Sequence, residues 1–320
     1  MRKVFRLIKL GRLLLLAYRY RYRKVFIGQD DRFLFLDVFW TGGSLNALKK
    51  INIPRCNVSA VIYDLIPITH PQFVESANQR NFASNLPVLM EVAANYLCIS
   101  ETVASDLQRH TVSDQTRAER VLSFKLGSDF GPRVSTKKGV MQIGGVLKLQ
   151  PWLVVGTIEP RKNHKYILDS FEALWAQGRE ESLLIVGRIG WMCEEIMMRL
   201  HSHSELGKRL FVFNDLDDAA LDECYRQSKG LIFASYVEGF GLPLVEAFQR
   251  KIPVVCSDIP VFREVAGDAA NYFDLSHRDG LLKLISAHKS EWHKGAKGIE
   301  WPSWDDSAKD FFDKLLGKRT

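Results

Sequence analysis

The strongest constraint on the fold is a rhythm in the second half of the chain. Short runs of branched and aromatic apolar residues are each followed by a polar or glycine-bearing loop and, for most, a segment of helical pattern. Between Pro151 and Asp274 the runs read WLVV, SLLIV, RLFVF, GLIFA, PVVCS and ANYF. Runs this short and this apolar read as strands buried on both faces, and strands that alternate with helices must pair in parallel through crossovers. The expectation is a doubly wound, Rossmann-like sheet with its strand-terminal loops gathered on one edge, where ligands bind.

The first half carries a sparser version of the same pattern. FLFLDVFW (Phe33 to Trp40), NVSAVIYDLIPI (Asn57 to Ile68, stopped by Pro67) and NYLCIS (Asn95 to Ser100) read as strands, and NFASNLPVLMEVAA and ETVASDLQRH as helices. Between Phe130 and Gly145 the text FGPRVSTKKGVMQIGG has the composition of a linker. The chain has 320 residues, about twice a usual domain. It divides into a first domain over residues 1–130, a linker over 131–150, a second domain over 151–290, and a terminal helix over 291–320 that is expected to pack back on the first domain. In that helix Asp305 and Asp306 at the start and Lys314, Lys318 and Arg319 at the end suit the helix dipole, and Phe311, Phe312, Leu315 and Leu316 form an apolar stripe.

Charge is uneven. The net value is +7, and residues 1–24 hold nine Lys or Arg residues with no acid before Asp30. The apolar run Leu13 to Ala17 is far too short to span a bilayer. Basic residues on both its sides, with no small-residue cleavage site, speak against a signal peptide. Two readings stay open: an amphipathic segment lying on an anionic membrane surface, or a helix whose arginines face water. No recognition motif accompanies the charge, so a nucleic-acid partner is not expected. Five scattered cysteines without a CxxC pair read as apolar fillers in a reducing compartment.

Three loops at the ends of strands in the second domain carry chemistry. In VGTIEPRKNH, Gly156 is followed by Arg161 and Lys162, adjacent cations between a strand and a helix. There an anion meets side-chain charge and free backbone N–H groups together. In IVGRIG, Gly187 and Gly190 allow close approach of backbone, but neither a GxGxxG nor a P-loop spacing is met, so a plain turn is the better reading of that loop alone. In EGFGLPLVEA, Glu238 and Glu246 flank a Gly239–Phe240–Gly241 turn and the start of a helix near Pro243. Glu246 suits paired hydroxyls such as a ribose, Glu238 suits sugar hydroxyls, and spacing alone leaves a plain first-turn acid and a solvated loop acid ahead. The histidines of HSH (His201 and His203) read as solvated. Neither an Asp-x-Asp cluster nor a His/Cys ligand set is expected to hold a metal, so neither a metal nor a cofactor is expected.

In order and spacing, VGTIEPRKNH, LLIVGRIG, GLIFASYVEGFGLPLVEAF and PVVCSDIPVFREVAGDAANYFD resemble the nucleotide-sugar domain of family-4 retaining glycosyltransferases, nearest in flavour to bacterial O-antigen mannosyltransferase-like members. The resemblance spans Pro151 to Phe273. It implies the GT-B architecture, an α/β fold of two doubly wound domains facing across a cleft. It implies that Arg161 and Lys162 neutralise a donor diphosphate, that Glu246 binds the donor ribose and that Glu238 lies by the transferred sugar. Gly239, Phe240, Gly241 and Leu242 would touch sugar and phosphate, while Gly187, Arg188 and Leu216 would line the base.

The match in the first domain is looser. In VIYDLIPITHPQF, Tyr63 ahead of Asp64 stands where the family often has a histidine near the donor sugar, and Ser100 and Glu101 fall at the cleft edge. The family's opening strand and glycine-rich loop are not found, so the first domain is expected to be shortened. The reaction implied is transfer of a hexose, of mannose or glucose type, from a nucleoside-diphosphate sugar to a glycan or lipid-linked acceptor with retention, in surface polysaccharide synthesis. The basic segment over residues 1–24 fits a cytoplasmic enzyme that can lean on the inner face of the cell membrane. The alternative is a catalytically silent nucleotide-sugar-binding protein of the same fold.

Overall fold

The structure is a computed structural model, and it describes residues 31–36, 38–40, 44–50, 53–111, 120–128, 143–287 and 301–317. The basic segment over residues 1–24 and most of the linker lie outside the described residues.

Two parallel sheets organise the chain. The first has four strands in the order β1-β2-β3-β4: β1 (Phe33–Phe35), β2 (Val58–Ile62), β3 (Asn95–Cys98) and β4 (Arg120–Ser123). Their side chains alternate between two cores, as period-2 geometry demands. Val58, Ala60, Ile62, Tyr96 and Cys98 pack with Phe82, Leu86 and Leu89 of the helix Ser76–Val92. Val61 and Leu97 point the other way, into a cluster with Phe124 and Phe311.

The second sheet has six strands: β5 (Trp152–Val155), β6 (Leu183–Val186), β7 (Leu210–Phe213), β8 (Gly230–Phe233), β9 (Val254–Ser257) and β10 (Asn271–Phe273). Their order is β10-β9-β8-β5-β6-β7, all parallel. The chain winds outward from β5 to β7, then returns to lay β8 on the other side of β5. The strand order therefore reverses between β5 and β8, which opens a crevice at their carboxyl ends. The loops after those two strands are the ones that carry Arg161, Lys162 and Glu238.

Several segments differ from the pattern in the sequence. FLFLDVFW keeps only three strand residues, Phe33–Phe35, and Phe39 is buried beyond them in the core beside Phe82. NVSAVIYDLIPI stops pairing at Ile62, five residues before Pro67. The Asp64 carboxylate accepts the Ile66 N–H at 3.0 Å, and the chain turns into the one-turn helix Ile66–Thr69. Residues 143–147 are helical rather than loop, because Ile143, Val146 and Leu147 are buried in the core. In the helix Trp304–Leu316 only part of the apolar stripe is used: Phe311 is buried against Phe124, while Phe312 and Leu316 are exposed. Cys98, Cys193, Cys224 and Cys256 are buried, and Cys56 is exposed.

The carboxyl edges of the two sheets face each other. Ser100, just past β3, donates its hydroxyl to the carbonyl of Gly239 at 2.8 Å. A Cβ on Gly239 would lie 2.2 Å from the Tyr63 carbonyl oxygen, so only glycine lets the loop after β8 touch the loop after β2. The Glu264 carboxylate accepts the N–H groups of Glu101 and Thr102 at 2.7 and 2.8 Å and the Thr102 hydroxyl at 2.6 Å. It thereby satisfies donors at the start of the helix Glu101–Thr111 from across the cleft. The segment over residues 301–307 is tied to the stretch after β4: Trp301 donates its indole N–H to the Leu126 carbonyl, and Ser307 its hydroxyl to that of Lys125.

Candidate active site

The crevice between β5 and β8 is built on a charged cluster. Arg161 and Lys162 sit on a single 3-10 turn, Pro160–Lys162, rather than in the first turn of the long helix, because Asn163 takes a left-handed conformation (φ 57°) before the helix His164–Ala176 begins. The turn aims both cations at the loop after β8. Glu238, nearly buried, receives Lys162 Nζ on one carboxylate oxygen together with the Ser235 hydroxyl at 2.8 Å, and Arg161 on the other at 2.5 Å. Glu159, also buried, holds the far side of the Arg161 guanidinium at 2.8 Å. The Arg161 side chain also donates to the Val237 carbonyl at 3.1 Å, and the Tyr236 N–H donates to the Arg161 carbonyl at 2.9 Å. Lys162 Nζ lies 4.6 Å from the Phe233 ring centroid.

Burial opposes ionisation of Glu238, but the charges of Lys162 and Arg161 outweigh it and hold the carboxyl below its ordinary value. Glu238 is therefore a fixed anion rather than a proton carrier near neutrality. Burial is the largest influence on Lys162 and lowers its pKa despite Glu238. Burial likewise raises Asp64 and Glu159, with Arg161 pulling each back. Desolvated cations at a strand end favour further negative charge, which an anionic ligand supplies.

The loop after β6 presses into the site from the side. A Cβ on Gly187 would fall 1.8 Å from the Gly156 carbonyl oxygen, so the loops after β5 and β6 touch backbone to backbone. Gly156 itself (φ 142°) leaves room for the Lys162 stem, 3.4 Å from where its Cβ would stand. Arg188 is exposed on this loop, with its carbonyl accepting the Ile158 N–H, and Leu216 after β7 packs on the core.

The predicted residues thus fall into two groups. Arg161, Lys162 and Glu238 touch one another; Asp64 lies close enough for Arg161 and Glu238 to act on its charge. Gly239 lies against Tyr63, whose hydroxyl donates to the Leu36 carbonyl at 2.6 Å within the first domain. The Phe240 side chain turns into the core against Trp301, so only its backbone is left for a ligand. Gly241 starts the helix Leu242–Gln249, whose Leu242 packs on the same core. Glu246, in that helix, is apart from the cluster and accepts the hydroxyl of the buried Tyr225 at 2.5 Å.

Other polar groups serve structure. His203 is not solvated: it pairs with Glu172 at 3.1 Å beside Trp175. Asp215 and Asp217 have an Asp-x-Asp spacing, yet Asp217 caps the helix Asp218–Gln227 by accepting the Ala220 N–H at 2.9 Å. Among the described residues no three His, Cys, Asp or Glu side chains gather as a metal site. Glu159, Ser235 and Glu264 are the contributors that the sequence does not single out. Glu159 stands inside the EPRK motif, but nothing in the text separates it from a solvated acid.

Between the helix Glu101–Thr111 and the helix Pro260–Ala266, a cavity of about 590 Å³ opens onto Glu238 and Tyr236. Tyr236 stacks on Phe73 from the first domain at 5.1 Å, and Trp191 donates its indole N–H to the Phe73 carbonyl at 2.9 Å.

Residues 148–285 match the family described as "Glycosyl transferases group 1". The serotype-specific mannosyltransferase WbdA of Escherichia coli is 35% identical over 269 residues, which are 80% of this chain and 33% of WbdA. The chain thus spans about a third of that relative's length. The O-antigen chain mannosyltransferase B of Escherichia coli is 28% identical, over 71% of this chain and 58% of the relative. Among solved structures, Anabaena HepE in complex with UDP and glucose superposes with a TM-score of 0.65 at 16% identity, covering 85% of this chain and 74% of HepE. Sucrose-phosphate synthase from Thermosynechococcus elongatus has the same TM-score at 17% identity, covering 89% of this chain and 74% of the other. Residues 148–285 are thus similar to a group 1 glycosyltransferase domain, and the fold is GT-B, as the motifs imply.

Beside the cluster, His164 is 2% exposed, and neither of its ring nitrogens has a hydrogen-bond partner. Burial, helped by the charge of Lys162, lowers its pKa from 6.5 to about 4. Unfolded chains take up this proton below pH 6.5 and the folded protein only near 4, so stability falls as pH drops through that interval. The gap corresponds to about 3 kcal/mol. Chemical denaturation at pH 6.5 and pH 4 is expected to show wild type losing up to about 3 kcal/mol more than His164→Leu; equal losses in the two proteins contradict the assignment.

Proposed function

We propose that this chain is a glycosyltransferase that takes a mannose-type hexose from a nucleoside-diphosphate donor and adds it to a glycan acceptor in surface polysaccharide synthesis, with retention at the anomeric carbon. The observation that carries the reading is the Arg161–Lys162–Glu238 cluster at the point where the strand order reverses. Two desolvated cations, oriented by buried carboxylates, are suited to the charge that develops on a leaving diphosphate. Electrostatic stabilisation and positioning then supply most of the rate.

The engagement of Glu238 and Tyr63 shapes the mechanism. Glu238 is locked in ion pairs, and Tyr63 is engaged with the Leu36 carbonyl. Front-face displacement fits this arrangement. An oxygen of the departing diphosphate takes the proton of the incoming hydroxyl while Arg161 and Lys162 hold the phosphate. The reading gives no role to a metal or cofactor. Glu246 with Tyr225 behind it would receive the ribose, and the exposed Arg188 with Leu216 would border the base.

The mannose and O-antigen assignments rest on the relatives WbdA and mannosyltransferase B, and the nucleotide sugar on the UDP complexes of HepE. The silent-binder alternative gains no support from these relatives.

The reading also places the protein on the cytoplasmic face of a membrane, from the charge of residues 1–24 alone. Among the described residues no helix is long and apolar enough to cross a membrane. Flotation with liposomes should rise with anionic lipid content; recovery indifferent to lipid charge contradicts peripheral binding.

For the donor, a thermal-shift panel of GDP- and UDP-sugars should find at least one that raises Tm. Arg161→Ala and Glu246→Ala are expected to abolish that rise, and transfer to a mannan acceptor should accompany it. Rises retained in both variants would sink the site assignment, and binding without turnover on any acceptor would favour the silent alternative.

A further inference from the structure

The cleft is divided by charge. On the β5 side stand Arg161 and Lys162; on the side of the cavity that opens onto Glu238, the ionised groups are mostly acidic. Glu101, Asp106 and Glu264 line it, and the guanidinium that shares the wall, Arg109, is already paired with Asp106. Glu264 is engaged by backbone N–H groups and the Thr102 hydroxyl, and Glu101 by the Ser123 hydroxyl, all neutral donors that leave the negative charge in place.

Glu238 adds a carboxylate already paired with Arg161 and Lys162, His70 also lines the cavity, and the rest of the wall is uncharged. Tyr236, 43% exposed, is stiffened from behind by Phe73, and Ile259, Pro260 and Val261 offer apolar surface beside the hydroxyls of Thr102 and Ser105. At about 590 Å³ the cavity lies within the range of ligand pockets and holds more than one sugar ring. Both sheets contribute to it, and it meets the charged cluster at Glu238.

We propose that this cavity is the acceptor subsite and that its acidic wall selects an uncharged glycan terminus over a phosphate-bearing acceptor. A polyhydroxyl ring finds carboxylate and hydroxyl acceptors for its O–H groups and apolar and aromatic faces for its C–H groups. A phosphate there faces like charge, and the same repulsion keeps the donor diphosphate on the Arg161–Lys162 side, so one field sets both the specificity and the orientation of the pair. The inference rests on the donor reading above.

The test is isothermal titration of the full chain, saturated with the nucleoside diphosphate, against α-linked mannotriose and against the same trisaccharide phosphorylated on its terminal mannose. The uncharged sugar is expected to bind at least about tenfold more tightly. Ser105 is exposed on the cavity wall. Ser105→Trp should weaken mannotriose by about tenfold while leaving the nucleotide Kd within about twofold, and Ser105→Arg should narrow the preference against phosphate by about fivefold. Equal or tighter binding of the phosphorylated sugar or of a polyprenyl phosphate overturns the selection. An unchanged mannotriose Kd in Ser105→Trp overturns the location. Failure of wild type to bind any nucleoside diphosphate removes the donor reading, and this inference with it.

Discussion

The buried carboxylate of Glu238 holds the site together. It joins the loop after β8 to the cations of the loop after β5, and those are the two strands between which the sheet changes winding direction. Without it Lys162 would lose its buried counter-ion and Arg161 would keep only Glu159, a loss on the order of 3–5 kcal/mol for a broken buried pair. With it, Arg161 and Lys162 are fixed before any ligand arrives, so little reorganisation is left for the moment of reaction. Ser235 and Glu159 complete the arrangement by occupying the remaining lone pairs and donors.

The same loop fixes how the two sheets meet. Gly239 lies against the Tyr63 carbonyl while its own carbonyl accepts from Ser100, so the segment carrying Glu238 is seated against the ends of both β2 and β3. Glu264 makes a second tie a short distance away. The cleft is thus bordered by backbone contacts that tolerate little added volume, and charge, not shape alone, distinguishes its two sides.

Much of this was legible in the sequence. Short β-branched runs such as SLLIV and PVVCS have no other stable use than strands buried on two faces, and Arg161, Lys162 and Glu238 stood in loops that the topology had to bring to one edge. Reading failed where tertiary contacts decide. FLFLDVFW looks like one strand, but Phe39 leaves the sheet to meet Phe82. His203 looks solvated until Glu172 arrives from another helix. Phe312 and Leu316 share a stripe with Phe311 yet remain uncovered. Glu159 and Glu264 gained their roles only from partners, Arg161 two residues on and Thr102 across the cleft, that local spacing does not reveal. That Arg161 and Lys162 ride a separate turn ahead of the helix follows from the left-handed Asn163, which periodicity does not report.

The central claim is that Arg161 and Lys162 hold the β-phosphate of the donor nucleotide. Its most direct measurement is the ratio of affinities for the nucleoside diphosphate and monophosphate of the preferred base, in wild type and in Lys162→Met. The account predicts a preference for the diphosphate of about 30-fold or more in wild type, corresponding to about 2 kcal/mol, that collapses toward unity in the variant. A preference that survives the substitution unchanged would contradict it.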